Sequence, residues 1–383
     1  MATLTKKRAG VGLDIGSNSV KVCRLLDGPE GLELTNAARV EIYPENVAER
    51  LADGIEEKLA SPSTESVPIP KKEKERGEIE DKEKSGEKKD RVVKAIKKAV
   101  EEADIKEREV VSAVAGQAVI VRYIEIPYMS SEELSGAIKY EAEQYIPFEL
   151  ENVEVDYQIL EEKMPQHPEK MRVLLVAAKK ELIKEHLSFL EAASLKPVAI
   201  DVDAFALINA FERIKVPAKE ECLALINIGH SLTNINILRG GIAYFTRDVF
   251  LAGRDISDGL AKRFGMEFNQ AEKLKRERGK ATGDDTFNKT LSSALGDLVG
   301  EIRLSFDYYE NQALEKNIGH VFLTGGTSLL PELAHFLSDT LGLKVATWNP
   351  FEGLKVTEGV KAWESISPTM AVSLGLALHT END

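Results

Sequence analysis

Cysteine is nearly absent: Cys23 and Cys222 are the only two in 383 residues. Two thiols cannot build a disulfide framework, and their spacing fits no zinc motif. The chain therefore reads as a reduced protein of a reducing compartment. No apolar run approaches the roughly 20 residues that span a bilayer. The longest candidate, Val110 to Val121, stops at Arg122. The apolar run behind the basic Lys6-Lys7-Arg8 breaks at Asp14, shorter than a signal peptide needs, so none is expected there. Positive charge is in deficit, with 50 Lys and Arg against 64 Asp and Glu and a net charge of −14. That balance argues against a general nucleic-acid partner and against a free-standing grip on anionic lipid. The expectation is a cytoplasmic protein with no direct membrane insertion.

The length suggests two or three domains, at roughly 150 residues each. Gly10 to Leu25 reads as two β-rich runs flanking the turn Gly16-Ser17-Asn18, with Asp14 near the end of the first run. A weaker strand follows near Leu32 to Val40, and a helical period near Val47 to Leu59. Pro62, Pro68 and Pro70 then lead into Lys71 to Arg91, which holds nine basic and eight acidic residues but one aliphatic, Ile79. Such a stretch has too little apolar area to offset its ordering entropy, so it reads as a flexible charged insertion over 61–91, a solvated linker or a frayed charged helix. From Val110 to Lys196 the order is β-α-β-β-α, a compact α+β module. Within it Ser130 to Glu133 forms a capping box, and Leu134, Ile138, Ala142 and Tyr145 share one helix face.

From Cys222 the opening pattern repeats. Leu223 to Leu238 is again strand, polar turn (Gly229-His230-Ser231) and strand, about 200 residues after its counterpart. This suggests a pseudo-duplicated α/β protein with a cleft between its halves. A helical stretch covers Arg254 to Glu315, and His320 to Pro331 reads as buried strand, Gly325-Gly326 turn and helix start. Such turns offer backbone N–H groups free of Cβ crowding, which can cradle phosphate oxygens. One alone is weak evidence, since tight turns use Gly anyway. Three of them, with the Asp14 carboxylate and the hydroxyls of Ser17, Ser19, Ser231 and Thr233, could enclose a Mg²⁺-triphosphate.

In order, these segments resemble the first phosphate loop, second phosphate loop and adenosine loop of the actin-like ATPase superfamily. Within it the sequence is most similar to the PilM family of type IV pilus assembly, a relative of the cell-division protein FtsA. Three stretches carry the likeness: Gly12 to Lys21, Tyr140 to Phe148, and Val198 to Leu207. The resemblance implies an actin-like α/β fold: two lobes around a nucleotide cleft, the first interrupted by the α+β module. Lobe 1 would comprise 9–110 and 197–217, the module 111–196, and lobe 2 218–365 with a helical subdomain near 254–315. A C-terminal helix in 366–380 would return to lobe 1.

ATP with Mg²⁺ is the implied ligand. Asp14, Gly16, Ser17, Asn18 and Ser19 would form the first phosphate loop, with Asp14 holding the metal through water. Asn227, Gly229, His230, Ser231 and Thr233 would form the second, and Gly325, Gly326 and Thr327 would lie against adenosine. Glu272 and Lys275 match the position that holds ribose and adenine, or else form an ordinary charged helix face. Asp201 falls where relatives organise metal and attacking water, or else Asp201 or Asp203 is a helix N-cap. Asn227 departs from the Asp of many relatives. A neutral amide holds a hard divalent cation less well than a carboxylate, so slow or negligible hydrolysis is expected.

The implied function is an ATP-loaded scaffold at the inner membrane, bound to the N-terminal cytoplasmic tail of PilN. Other inner-membrane pilus assembly proteins would be further partners, and self-association stays open. Tyr140, Tyr145 and Phe148 are candidate anchors for the tail, with core packing as the alternative for each. A small-molecule kinase and an FtsA-like protein are the competing readings. No sugar-binding signature supports the first. The second expects a basic amphipathic helix, and none follows the last apolar segment.

Overall fold

The computed structural model describes residues 9–28, 31–43, 72–164, 167–214, 221–278, 285–313 and 318–379. The helix expected over Val47 to Leu59 and the stretch 61–71 lie outside these. Lobe 1 begins with β1 (Ala9–Ile15), β2 (Ser19–Gly28) and β3 (Gly31–Glu41). They form an antiparallel meander with Asp14 opposite Lys21. Helix α1 (Lys72–Glu102) follows. It takes in most of the charged stretch. Lys and Glu recur at helical spacing in its sequence, the Glu87–Arg91 pair meets at 3.0 Å, and such pairs support a helix. Further along, where apolar residues enter, Val92, Ala95, Ile96 and Ala99 bury against the sheet.

β4 (Glu109–Val114) runs parallel to β1 and belongs to lobe 1. Its five consecutive buried residues are the signature of a strand covered on both faces. The inserted module is therefore shorter than the expected 111–196. It comprises β5 (Val119–Pro127), α2 (Ser131–Glu143), β6 (Val153–Glu161) and β7 (Lys170–Lys179), with sheet order β5-β7-β6. The Ser130–Glu133 capping box is present, and Leu134, Ile138 and Ala142 are buried on the module's own core. The chain returns to lobe 1 through α3 (Lys180–Ala192), β8 (Lys196–Val202) and α4 (Asp203–Ile214).

Lobe 2 repeats the plan. β9 (Cys222–Ile228), β10 (Thr233–Arg239) and β11 (Ile242–Val249) form a second antiparallel meander. Then come α5 (Gly253–Phe264), α6 (Phe268–Arg278) and α7 (Asp285–Ala313). β12 (His320–Thr324), α8 (Leu333–Leu341) and β13 (Lys344–Thr347) complete the sheet. Its order is β11-β10-β9-β12-β13, and β12 is parallel to both neighbours. Lobe 1 has the matching order β3-β2-β1-β4-β8, with β14 (Lys355–Val356) added beside β3. The duplicated strand-turn-strand pattern is thus a duplicated five-stranded sheet. Among the described residues no helix is long and apolar enough to cross a membrane.

The last helix, α9 (Ala371–Leu378), is buried along nearly its whole length between β1 and α4. Close approach there requires missing side chains. A Cβ on Gly12 would overlap the Ser373 carbonyl, and one on Gly375 would overlap the Ala206 carbonyl. We predict that Gly375→Ala destabilises the protein by about 1–3 kcal/mol, the usual cost of overpacking. A lowered urea midpoint with unchanged slope would show it; an unchanged midpoint would mean the helix contact is loose.

Candidate functional site

The two meanders turn their hairpin loops toward each other across a cleft of about 690 Å³. Lobe 1 contributes Asp14, Gly16, Ser17, Asn18 and Ser19, and lobe 2 contributes Asn227, Gly229, His230 and Ser231. Gly325, Gly326 and Thr327 close one side, and Glu272 and Lys275 another. All but two of the nucleotide-site and catalytic residues expected from the sequence are therefore neighbours on one surface. The exceptions are Thr233 and Asp201. Thr233 is fully buried, and its hydroxyl donates to the Leu251 carbonyl at 2.7 Å, which turns it away from the cleft. Asp201, next to last in β8, stays outside the lining, its carboxylate accepting from the Val202 N–H. The carboxylate that does line the cleft is Asp203, first residue of α4.

The loops brace one another. In the first, the Gly16 N–H donates to the Ser19 carbonyl at 3.1 Å. The Asp14 carboxylate, on a residue 6% exposed, meets the Lys21 ammonium at 2.9 Å. Lys21 was missed in the sequence reading, since its pairing with Asp14 depends on the hairpin register. In the second loop the Gly229 N–H donates to the Leu232 carbonyl, while the Gly229 carbonyl accepts from the Gly253 N–H and the Thr327 hydroxyl. The third loop hangs on Pro368, whose carbonyl accepts from the Gly325 N–H and the Thr324 hydroxyl. Gly325 has φ +87°, and a Cβ there would overlap the Ile228 carbonyl and reach the Asn227 amide oxygen. The cradle exists because that Cβ does not.

On the far wall, the Lys275 ammonium donates to the Gly253 carbonyl at 2.8 Å, the Ser257 hydroxyl at 2.9 Å and the Glu272 carboxylate at 2.7 Å. Its three protons are all engaged, so Lys275 clamps α6 onto the start of α5. Burial pulls the Lys275 ammonium down and Glu272 opposes that pull. Burial raises Glu272, but Lys275, Ser257 and Arg276 outweigh it and hold it below the usual carboxylate range. Arg276 also reaches across the cleft to Glu41 of lobe 1 at 3.3 Å. His230 is lowered by burial and stands edge-on to Phe268.

Behind the first loop, the Ser112 hydroxyl donates to the Leu13 carbonyl at 2.7 Å, so it must accept from His186 Nε2–H at 2.8 Å. Burial lowers His186 to about 4, which keeps the ring neutral and the tautomer defined. Asp203 is a carboxyl of the cleft whose surroundings disfavour its charge. Burial, then the carboxylates of Asp14 and Asp248, push it well above the usual range against the pull of Lys21. No three His, Cys, Asp or Glu among the described residues form a ready-made metal cage. Two carboxylates beside one lysine nevertheless suit a divalent ion that arrives on phosphates and keeps most of its water. The donor set thus fits Mg²⁺ carried by a nucleotide.

The aromatic candidates separate. Tyr140 is 75% exposed, whereas Tyr145 and Phe148 are half-buried on the module core, with the Lys179 ammonium 4.3 Å from the Phe148 ring centre. Asp203 yields a pH test. Its carboxyl holds its proton more tightly in the native state than in the unfolded chain, so its charge works against the fold as pH rises. Asp203→Asn should therefore raise the melting temperature of the nucleotide-free protein at pH 8. The gain should shrink as pH falls toward about 4, the ordinary aspartate value. A gain independent of pH would contradict the assignment.

The comparisons with known proteins agree with this geometry. A solved PilM–PilN type IV pilus biogenesis complex contains a chain 27% identical to this one. The match covers 97% of this chain and 98% of that one, at a TM-score of 0.76. Ethanolamine utilization protein EutJ from Carboxydothermus hydrogenoformans is 12% identical with a TM-score of 0.50, over 99% of this chain and 92% of that one. At that identity it shows the shared fold alone. The cell division protein FtsA of Staphylococcus epidermidis is 26% identical over 232 residues, 55% of this chain and 49% of that protein. The chain thus spans about half the length of the curated relatives it matches. The family described as type IV pilus assembly protein PilM matches residues 65–381. With the fold of the actin-like ATPases and a family match over most of its length, the chain belongs to the PilM family of type IV pilus assembly proteins.

Proposed function

We propose that this protein is an ATP-binding scaffold of the inner-membrane pilus assembly complex that docks the N-terminal cytoplasmic tail of PilN. The observation that carries the nucleotide reading is the convergence of three hairpin and glycine loops from both lobes on one cleft of about 690 Å³. Lys21 and the N–H groups of the two hairpin loops would meet phosphates, and Asp14, with Asp203 nearby, would hold Mg²⁺ through water. When bound, the ion would neutralise phosphate charge and offset the repulsion between those carboxylates. Gly325, Gly326 and Thr327 would lie along the adenosine, and Glu272 would face the ribose from a wall held rigid by Lys275. A ligand gripped by both lobes stabilises the closed cleft by mass action, and a scaffold needs no more than that.

Hydrolysis would be slow or absent. Asn227 offers a metal-bound nucleotide a neutral amide, which holds a hard divalent cation less well than a carboxylate would. The pilus reading rests on the family match and on the near-complete coverage of a chain solved with PilN. The tail would enter beside the inserted module, with exposed Tyr140 as an anchor. The same complex would hold the protein at the cytoplasmic face of the inner membrane through its partners.

Calorimetric titration of Mg-ATP into the purified protein tests the site. Wild type should bind, and Asp14→Ala and Lys21→Ala should each weaken binding at least tenfold. Equal affinity in all three would move the nucleotide elsewhere. A synthetic PilN tail peptide should bind the wild type and lose affinity several-fold on Tyr140→Ala. Brisk single-turnover release of phosphate would refute the slow-hydrolysis part alone.

A further inference from the structure

Lobe 2 carries a polar row that crosses three strands at right angles. Asn234 on β10 lies opposite Asn227 on β9 and opposite Asp248 on β11. The Asn227 amide nitrogen donates to the Asn234 oxygen at 2.8 Å, and the Asn234 amide nitrogen donates to Asp248 at 2.6 Å. The other oxygen of Asp248 accepts at 2.9 Å from the N–H of Gly116, in the turn between β4 and β5 where lobe 1 passes into the inserted module. Asn234, at the centre of the row, is 1% exposed. The direction of the row follows from its end. An ionised carboxylate only accepts, which obliges Asn234 to present its nitrogen to Asp248 and its oxygen to Asn227. Asn227 must then use its nitrogen on Asn234, which leaves its oxygen toward the cleft beside Gly325.

Asp248 also belongs to a seam. Alternate residues of the edge strand β11 meet the module: the Tyr244 ring lies under the Arg172 guanidinium at 4.1 Å, and Thr246 accepts from the Tyr123 hydroxyl at 2.9 Å. Thr246 in turn donates to Asn236, so that rung ends one row away from Asn227. Among these three contacts, the one at Asp248 continues to the second phosphate loop.

We propose that Asp248 is a positioning residue that ties the second phosphate loop to the inserted module, so that nucleotide in the cleft sets how firmly the module sits on lobe 2. This rests on the nucleotide reading above. It also accounts for Asn227. A carboxylate at 227 would face the oxygen of Asn234 and break the row, so the negative charge stands two hydrogen bonds away, at Asp248.

Hydrogen exchange of the full chain with and without Mg-ATP tests it. In wild type, nucleotide should slow exchange in loops 14–19 and 229–233 and also in 119–127 of β5, the latter by roughly fivefold or more, the low end of measured couplings. An amide at 248 has one acceptor oxygen and cannot serve both donors. Asp248→Asn should therefore keep loop protection while the effect on 119–127 falls to about unity. Thr246→Val, which cuts the neighbouring rung, should retain the effect on 119–127. Loop protection without any change in 119–127 of wild type overturns the coupling and spares the nucleotide reading. Equal loss in Thr246→Val overturns it too, since the seam would then be merely structural. Absence of protection anywhere overturns both.

Discussion

The geometry of the cleft is referred to β1, and β1 is seated by backbone contact with α9. At Gly12 and Gly375 the helix touches the strand on one side and α4 on the other with no side chain between them. Apolar closure around that contact comes from Val111, Ala113, Ala206, Val372 and Leu376, all buried in one cluster. Close-packed interiors transmit small displacements instead of absorbing them. The end of β1 carries Asp14, and α4 begins with Asp203. The spacing of the two acids is thus set by a helix from the far end of the sequence.

Electrostatics in the cleft is deliberately incomplete. Asp14 has Lys21, but Asp203 sits beside like charge, and desolvation with the carboxylates of Asp14 and Asp248 pushes its carboxyl up. A site that repels its own carboxylates becomes more comfortable when a cationic ligand arrives, and perturbed acids of this kind gather at functional sites. The opposite wall is the reverse case. Glu272, Lys275, Ser257 and the Gly253 carbonyl satisfy one another, so that wall changes little whatever occupies the cleft.

The inserted module brings its own core and caps, and it touches lobe 2 through a thin polar seam at β11. Polar, water-poor contacts of this sort depend on direction and lose most of their value when one partner turns. Apolar packing would tolerate sliding. The seam therefore favours discrete positions of the module over continuous sliding.

Much of this was legible in the chain as written. Turns are local, so Gly16-Ser17-Asn18 and Gly229-His230-Ser231 announced two hairpins, and their likeness announced the duplicated lobes. The Ser130 cap was legible for the same reason. Residues whose roles need a partner strand were not. Lys21 takes its meaning from the register of β1 and β2, and Asp248 from that of three strands in lobe 2. Thr233 and Ser231 look alike in sequence, yet Ser231 stays in the loop at the cleft while Thr233 opens β10, buried with its hydroxyl on the Leu251 carbonyl. Asp201 and Asp203 stand two residues apart where a strand becomes a helix, and only the second lines the cavity. Local propensity and pattern write the elements. Which side chains meet is decided by register and by the approach of distant segments, and neither is encoded within the few residues that a motif spans.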